Sequence, residues 1–137
     1  KIMNAENSDD LMNVFKDVKA SDYWDNHFNF GKISPVDNPK VLTKDFIELI
    51  ILNSILPLKY NYHKYNNEEI ADEILAFYKE LSAEKNTIVD GWKNLGLKIK
   101  NAMQTQSLIY HYKNYCTPKN CLNCGIGFKI LKENNHA

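Results

Sequence analysis

All three cysteines of this 137-residue chain fall within nine positions of one stretch, YCTPKNCLNCGIG, residues 115–127. The spacing is C-x4-C-x2-C: Cys116, then Cys121 and Cys124, with Gly125 directly after. Two residues between cysteines let successive thiolates point at one ion, and a following glycine gives the backbone room to turn around it. Structural zinc held by three or four sulfurs is therefore the first candidate, and an iron–sulfur cluster the second. Both normally take four protein ligands, and His111 is the nearest source of a fourth. It lies five residues before Cys116, so a regular helix would point it away and local unwinding is required. His27, His63 and His136 are the remaining imidazoles. Two other readings stand beside the metal: small apolar side chains packing a C-terminal turn, or a disulfide or redox pair. A metal held here has a structural role, because no acid or base accompanies the sulfurs.

Asp22 and Asp25 flank Trp24, with His27 two residues on. Two carboxylates and an imidazole suit a hard cation or acid–base chemistry, although such groups commonly cap a turn instead. A third group of candidates is cationic. Residues 91–137 carry seven lysines, among them Lys113, Lys119 and Lys129, against Glu133 alone, whereas residues 1–90 carry ten lysines against sixteen acids. The formal charge is zero overall but about −6 and +6 by segment, which suits either a polyanion-binding end or mutual attraction of the two halves. There is no arginine, the commonest reader of guanine edges, so any nucleic-acid contact is to phosphate and indifferent to sequence. Tyr60, Tyr62 and Tyr65 with His63 supply rings suited to stacking bases or to lining a core. The chain has no glycine-rich phosphate loop, nucleophile elbow or two-histidine zinc helix.

The elements that must position these residues are helical. Leu11, Val14, Phe15 and Val18 share one face of a helix capped at Ser8 or Asp9. The stretch SDYWDNHFNFGKISPVDNP then breaks the period; it reads as an irregular, extended segment whose Tyr23, Trp24, Phe28 and Phe30 pin it across the helices. Thr43 caps a helix apolar almost all round, from Phe46 to Leu56, which predicts a central position, and Pro57 must end or kink it. A second helical piece continues through KYNYHKY. Asn67 with Glu68 and Glu69 predicts the next start, with Ile70, Ile74, Phe77, Tyr78 and Leu81 as its buried stripe. Thr87 opens a short helix stopped by Gly96, and a longer one runs from about Lys98 or Asn101 to Tyr115. No stretch alternates with period two. The longest apolar run, FIELIILNSIL, is shorter than a bilayer crossing and contains Glu48 and Asn53.

The segments YCTPKNCLNCGIGFKIL, NTIVDGWKNLGLKIKNAMQTQSLIYHYKNYC, SDYWDNHFNF and NSILPLKYNYHKY together resemble the C-terminal part of a family of uncharacterised Bacteroidetes proteins, a domain of unknown function. The resemblance runs from about Asp10 to Leu131 and is most specific at the terminal cysteine pattern. It implies a longer protein whose N-terminal part is a nuclease-like α/β core, with acidic residues, a Glu-x-His and a nearby lysine. Any catalytic centre of that kind lies outside this chain.

The expectation is thus an all-α fold: one helical domain over residues 1–137, about five helices, with a C-terminal cysteine knuckle at 116–131 fastening the last segment to the helix that ends at Tyr115. The protein is expected to be cytoplasmic and non-catalytic, supporting an upstream domain. One rival is a stand-alone enzyme using Asp22, Asp25 and His27. Another is a protein–protein interaction module using Tyr23 to Phe30.

Overall fold

Short polar side chains set four of the helix starts in the computed structural model, which describes residues 1–134; His136 lies outside the described residues. Asn7 accepts from the Asp10 amide (2.9 Å) and opens α1, Ser8–Phe15. Thr43 accepts from Phe46 (3.3 Å) and opens α2, Lys44–Ile50, as expected. Asn86 and Asn101 accept from Val89 and Gln104 and open α5, Thr87–Asn94, and α6, Ala102–His111. Each such bond satisfies one of the orphan amides of a first turn and contributes about 1 kcal/mol. The all-α expectation holds, with one small hairpin added. The chain divides into two compact units, Lys1–Leu81 and Ser82–Ala137, each described by itself.

In the first unit α2 runs through a π-turn, Ile51–Ile55, directly into α3, Leu56–Tyr65. Pro57 neither ends nor breaks the rod. Proline lacks an amide hydrogen and its ring collides with the carbonyl four residues back in a regular α-helix. The wide turn, in which the Leu56 amide reaches the Ile51 carbonyl five residues back, opens the ladder just before it. Side-chain amides take up carbonyls on either side: Asn53 donates to the Leu49 oxygen (3.1 Å) and Asn61 to that of Pro57 (2.7 Å). Ile47, Ile51, Leu52, Ile55 and Leu56 are buried, joined by Leu11 from α1 and by Ile74 and Phe77 from α4, Ala71–Glu80. Each aliphatic side chain buried this way contributes about 1.5–3 kcal/mol. The rod is less central than its composition predicts, since Phe46 and Leu49 stay exposed.

Asn67 ends a helix rather than starting one. It adopts φ 60°, a left-handed conformation asparagine tolerates, and the Glu68 amide returns to the His63 carbonyl (2.9 Å) to close α3. The next helix begins at Ala71 without a side-chain cap.

The aromatic segment is a single 3-10 turn, Asp22–Asn26, followed by β1, His27–Asn29, paired antiparallel with β2, Lys32–Ile33. Gly31, at φ 70°, forms the tip. These strands are too short to register as alternation. The rings pack on one another. Tyr23 meets Trp24 edge-on (5.1 Å between centroids) and stacks on His27 (4.0 Å), and Trp24 meets Phe30 (4.9 Å).

In the second unit Gly96, at φ 91°, stops α5 as expected. α6 continues through a π-turn, Tyr112–Cys116, one residue beyond the expected end; a 3-10 turn, Cys121–Asn123, leads into α7, Gly125–Asn134. Val89, Ala102, Thr105 and Cys124 form its buried set among the described residues. No helix among the described residues is long and apolar enough to cross a membrane.

Candidate functional site

The cysteine turn is built by two reversals. After the π-turn, Lys119 takes the left-handed conformation (φ 56°) and the Asn120 amide returns to the Tyr115 carbonyl at 2.8 Å, ending the helix. The 3-10 turn then closes with the Cys124 amide on the Cys121 carbonyl (3.2 Å), and the Cys124 carbonyl accepts from Phe128 (2.8 Å) as α7 begins. This path carries Cys124 back to α6. Its Sγ lies 3.3 Å from His111 Nε2, and the Gly127 amide donates to the same sulfur at 3.4 Å. The His111 ring stacks on Tyr115 one turn later (5.0 Å) and meets the Trp92 ring edge-on (5.8 Å). The buried Nε1 of Trp92 has no hydrogen-bond partner.

Gly127, rather than Gly125, is the glycine this turn requires. A Cβ on Gly127 would sit 2.6 Å from the Cys121 carbonyl oxygen and 3.1 Å from Cys121 Cα and Cβ, whereas one on Gly125 would meet nothing. The backbone of Gly127 therefore touches both cysteines of the C-x2-C pair. Cys124 is buried at 6 % exposure, while Cys116 and Cys121 are exposed free thiols.

His111 and Cys124 supply two ligand types that zinc accepts. Among the described residues, however, no group of three or more His, Cys, Asp or Glu side chains is gathered as a metal ion needs. The ligand set expected from Cys116, Cys121, Cys124 and His111 is thus not gathered among the described residues in this arrangement.

The lysines singled out for phosphate contact are all exposed. Lys113 lies on the π-turn, Lys119 in the reversal, and Lys129 on α7, 3.9 Å from the Glu133 carboxylate. The second unit holds eight lysines against Glu84, Asp90 and Glu133, a formal charge of +5.

Asp22, Asp25 and His27 are not brought together as an acid–base site. Asp22 faces Lys19 (3.1 Å) in an exposed ion pair. Asp25 serves through its backbone carbonyl, which accepts from the Asn38 amide (2.9 Å) and Lys40 Nζ (3.1 Å). His27 turns its Nδ1 to the Tyr23 carbonyl (2.8 Å). The residues the composition marked for chemistry instead shape the hairpin.

One feature escaped the sequence reading. Lys59 is buried at 3 % exposure, with its ammonium donating to the Met3 and Ala5 carbonyls (2.6 and 3.0 Å) and lying over the Phe77 ring. His63, one turn on, contacts Glu68 and the Met3 carbonyl (3.3 Å). The signal was present: Ile51, Ile55, Lys59 and His63 recur every fourth residue, which puts the lysine in the buried stripe. The hairpin, overlapping the segment named for an interaction module, exposes large apolar side chains. Phe28, Phe30 and Ile33 are 66, 80 and 77 % exposed. Lys40 Nζ sits 4.4 Å from the Phe28 ring centroid, and the Tyr23 hydroxyl accepts from the Gly31 amide (2.9 Å), holding the tip.

Residues 1–87 match the profile of a family described as "Protein of unknown function (DUF2851)". The matched span contains the hairpin and Lys59 and stops before the cysteine turn. No curated protein and no solved structure matches the chain.

Proposed function

The chain belongs to the DUF2851 family of proteins of unknown function, and from that premise we propose that it is a non-catalytic helical support module. It docks through the aromatic hairpin onto an upstream, nuclease-like domain of the same protein. The observation that carries this reading is the exposure of Phe28, Phe30 and Ile33 on one short hairpin. Exposed apolar surface is characteristic of interaction sites, and aromatic anchors dominate their energetics. The tip is also braced before any partner arrives, by the Tyr23, Trp24 and Phe30 ring contacts and by the Tyr23 hydroxyl. Bracing lowers the entropy lost on docking.

Hydroxyl-radical labelling of Phe28 and Phe30 tests the reading, with the isolated chain compared against the protein that carries the preceding domain. Docking predicts clear protection of both rings in the longer protein, as expected when aromatic anchors are buried at an interface. Equal labelling of both rings in the two proteins would remove the hairpin from this role.

A second reading is favoured by the +5 charge of residues 82–137 and the exposed Lys113 and Lys119. We propose that this unit also contacts nucleic-acid phosphates without regard to sequence, aiding an upstream nuclease-like domain.

A further inference from the structure

We propose that Cys121 and Cys124 form a dithiol that exchanges with anionic low-molecular-weight disulfides of the glutathione class. The two residues are joined by a turn in which the Cys124 amide bonds the Cys121 carbonyl at 3.2 Å. Such turns hold the first and fourth α-carbons within about 7 Å, and a disulfide spans roughly 4.4–6.8 Å between α-carbons. Gly127 lies beside both residues: a Cβ on it would sit 3.1 Å from Cys121 Cβ, and its amide donates to Cys124 Sγ.

The two sulfurs are not equivalent. Cys121 is exposed and meets solutes directly, whereas Cys124 is buried, flanked by His111 Nε2 at 3.3 Å and the Gly127 amide at 3.4 Å. Simple packing of small apolar side chains does not account for this, since one thiol stays in solvent and the other has polar groups on its sulfur. Lys119, two residues before Cys121, adds positive charge on the approach, which favours an anionic disulfide. This inference is independent of the docking proposed for the hairpin.

The exchange balances in two steps. The Cys121 thiolate attacks one sulfur of oxidised glutathione; that disulfide bond breaks, a mixed disulfide forms at Cys121 and one glutathione thiolate leaves. Cys124 then attacks Cys121 Sγ and expels the second glutathione. His111 Nε2, in the tautomer carrying its hydrogen on Nδ1, accepts the Cys124 proton, which passes to the departing thiolate. The Gly127 amide remains on the attacking sulfur. Two thiols of the protein are oxidised and one disulfide is reduced to two thiols.

Intact-mass and peptide analysis of the reduced chain, incubated with oxidised glutathione and quenched by alkylation, tests the proposal. The expected product has lost two hydrogens, carries a Cys121–Cys124 bridge in one peptide and leaves Cys116 alkylated. In C124S the reaction stops at glutathionylated Cys121. In H111Q formation of the Cys121 adduct keeps its rate while closure slows about a hundredfold or more, the scale of a lost proton acceptor. A wild-type chain that accumulates the Cys121 adduct without closing, that bridges through Cys116, or that remains fully reduced would overturn it. An H111Q variant that closes at the wild-type rate would refute the proton transfer to His111.

Discussion

Replacing Lys59 with methionine isolates the contribution of one buried ammonium. Methionine keeps an unbranched stem beside Phe77 but cannot donate, so the carbonyls of Met3 and Ala5 lose bonds of 2.6 and 3.0 Å. Hydrogen bonds to charged groups contribute about 1.5–3 kcal/mol each, which sets a gross loss of about 3–6 kcal/mol. Part is recovered, because the segment Ile2–Glu6 can swing into water and hydrate its own carbonyls. That release exposes little more than Ala5 and the part-buried Ile2 and Met3, so the net loss settles at about 2–3 kcal/mol. With a urea slope of about 1–2 kcal/mol/M for a unit of this size, the midpoint of unfolding falls by about 1–3 M. Amide exchange is the second readout: the Ala5 amide, bonded to the Ile2 carbonyl at 3.3 Å, loses protection first. A midpoint within about 0.3 M of wild type, with Ala5 still protected, would show that the buried ammonium does not hold the N-terminal segment.

The remaining expectations follow from the same geometry. Gly127→Ala forces a Cβ to within 2.6 Å of the Cys121 carbonyl oxygen, so it should destabilise α7 and the cysteine turn by about 1–3 kcal/mol, measured by thermal melting, while Gly125→Ala is neutral or stabilising. Charge-neutralising substitutions of Lys113, Lys119 and Lys129 should abolish any salt-dependent binding to single- or double-stranded DNA and flatten the slope of log affinity against log salt by about 0.7–0.9 for each phosphate left unneutralised; binding unchanged by all three would exclude this surface. Thr105, fully buried and bonded to the Ala102 carbonyl at 3.0 Å, should cost about 1 kcal/mol when replaced by valine, read from chemical unfolding, because the hydroxyl disappears without a change of shape.

Helix content was legible because it rests on local rules. The Thr43 cap, the Gly96 stop and the stripe Ile70, Ile74, Phe77, Leu81 all came from spacing and turn chemistry, although Tyr78, read into the same stripe, is only half-buried. The cap read at Ser8 or Asp9 belongs to Asn7, whose side chain makes the bond just before them, while the helix does open at Thr87, with Asn86 as its cap. Asn67 misled in the opposite sense, since the residue type that caps a start also tolerates a left-handed end. The hairpin was hidden by strands of three and two residues. α7 was hidden by Gly125 and Gly127, poor helix formers whose presence reads as a turn.

The cysteine turn was half legible. Clustering of the thiols pointed to the right stretch, but the partner of Cys124 is thirteen residues away in sequence and reaches it only because the chain reverses at Lys119. No periodicity within one helix encodes that. The hairpin is a different case. Of the groups read as possible chemistry, the Asp25 carbonyl and the His27 ring hold backbone or loop contacts and Asp22 pairs with Lys19, and it is the neighbouring Phe28 and Phe30 that are exposed.

A π-turn holds one residue more than a regular helix uses over the same advance, so the rod from Lys44 to Tyr65 bears the mark of an insertion. Deleting a single residue between Ile51 and Ile55 should leave Lys59 on its original side of the helix, yet would drive the ring of Pro57 into an unbroken ladder. Length and proline are therefore coupled: relatives one residue shorter in this segment are expected to have lost the proline as well, and relatives that keep it to retain the extra residue.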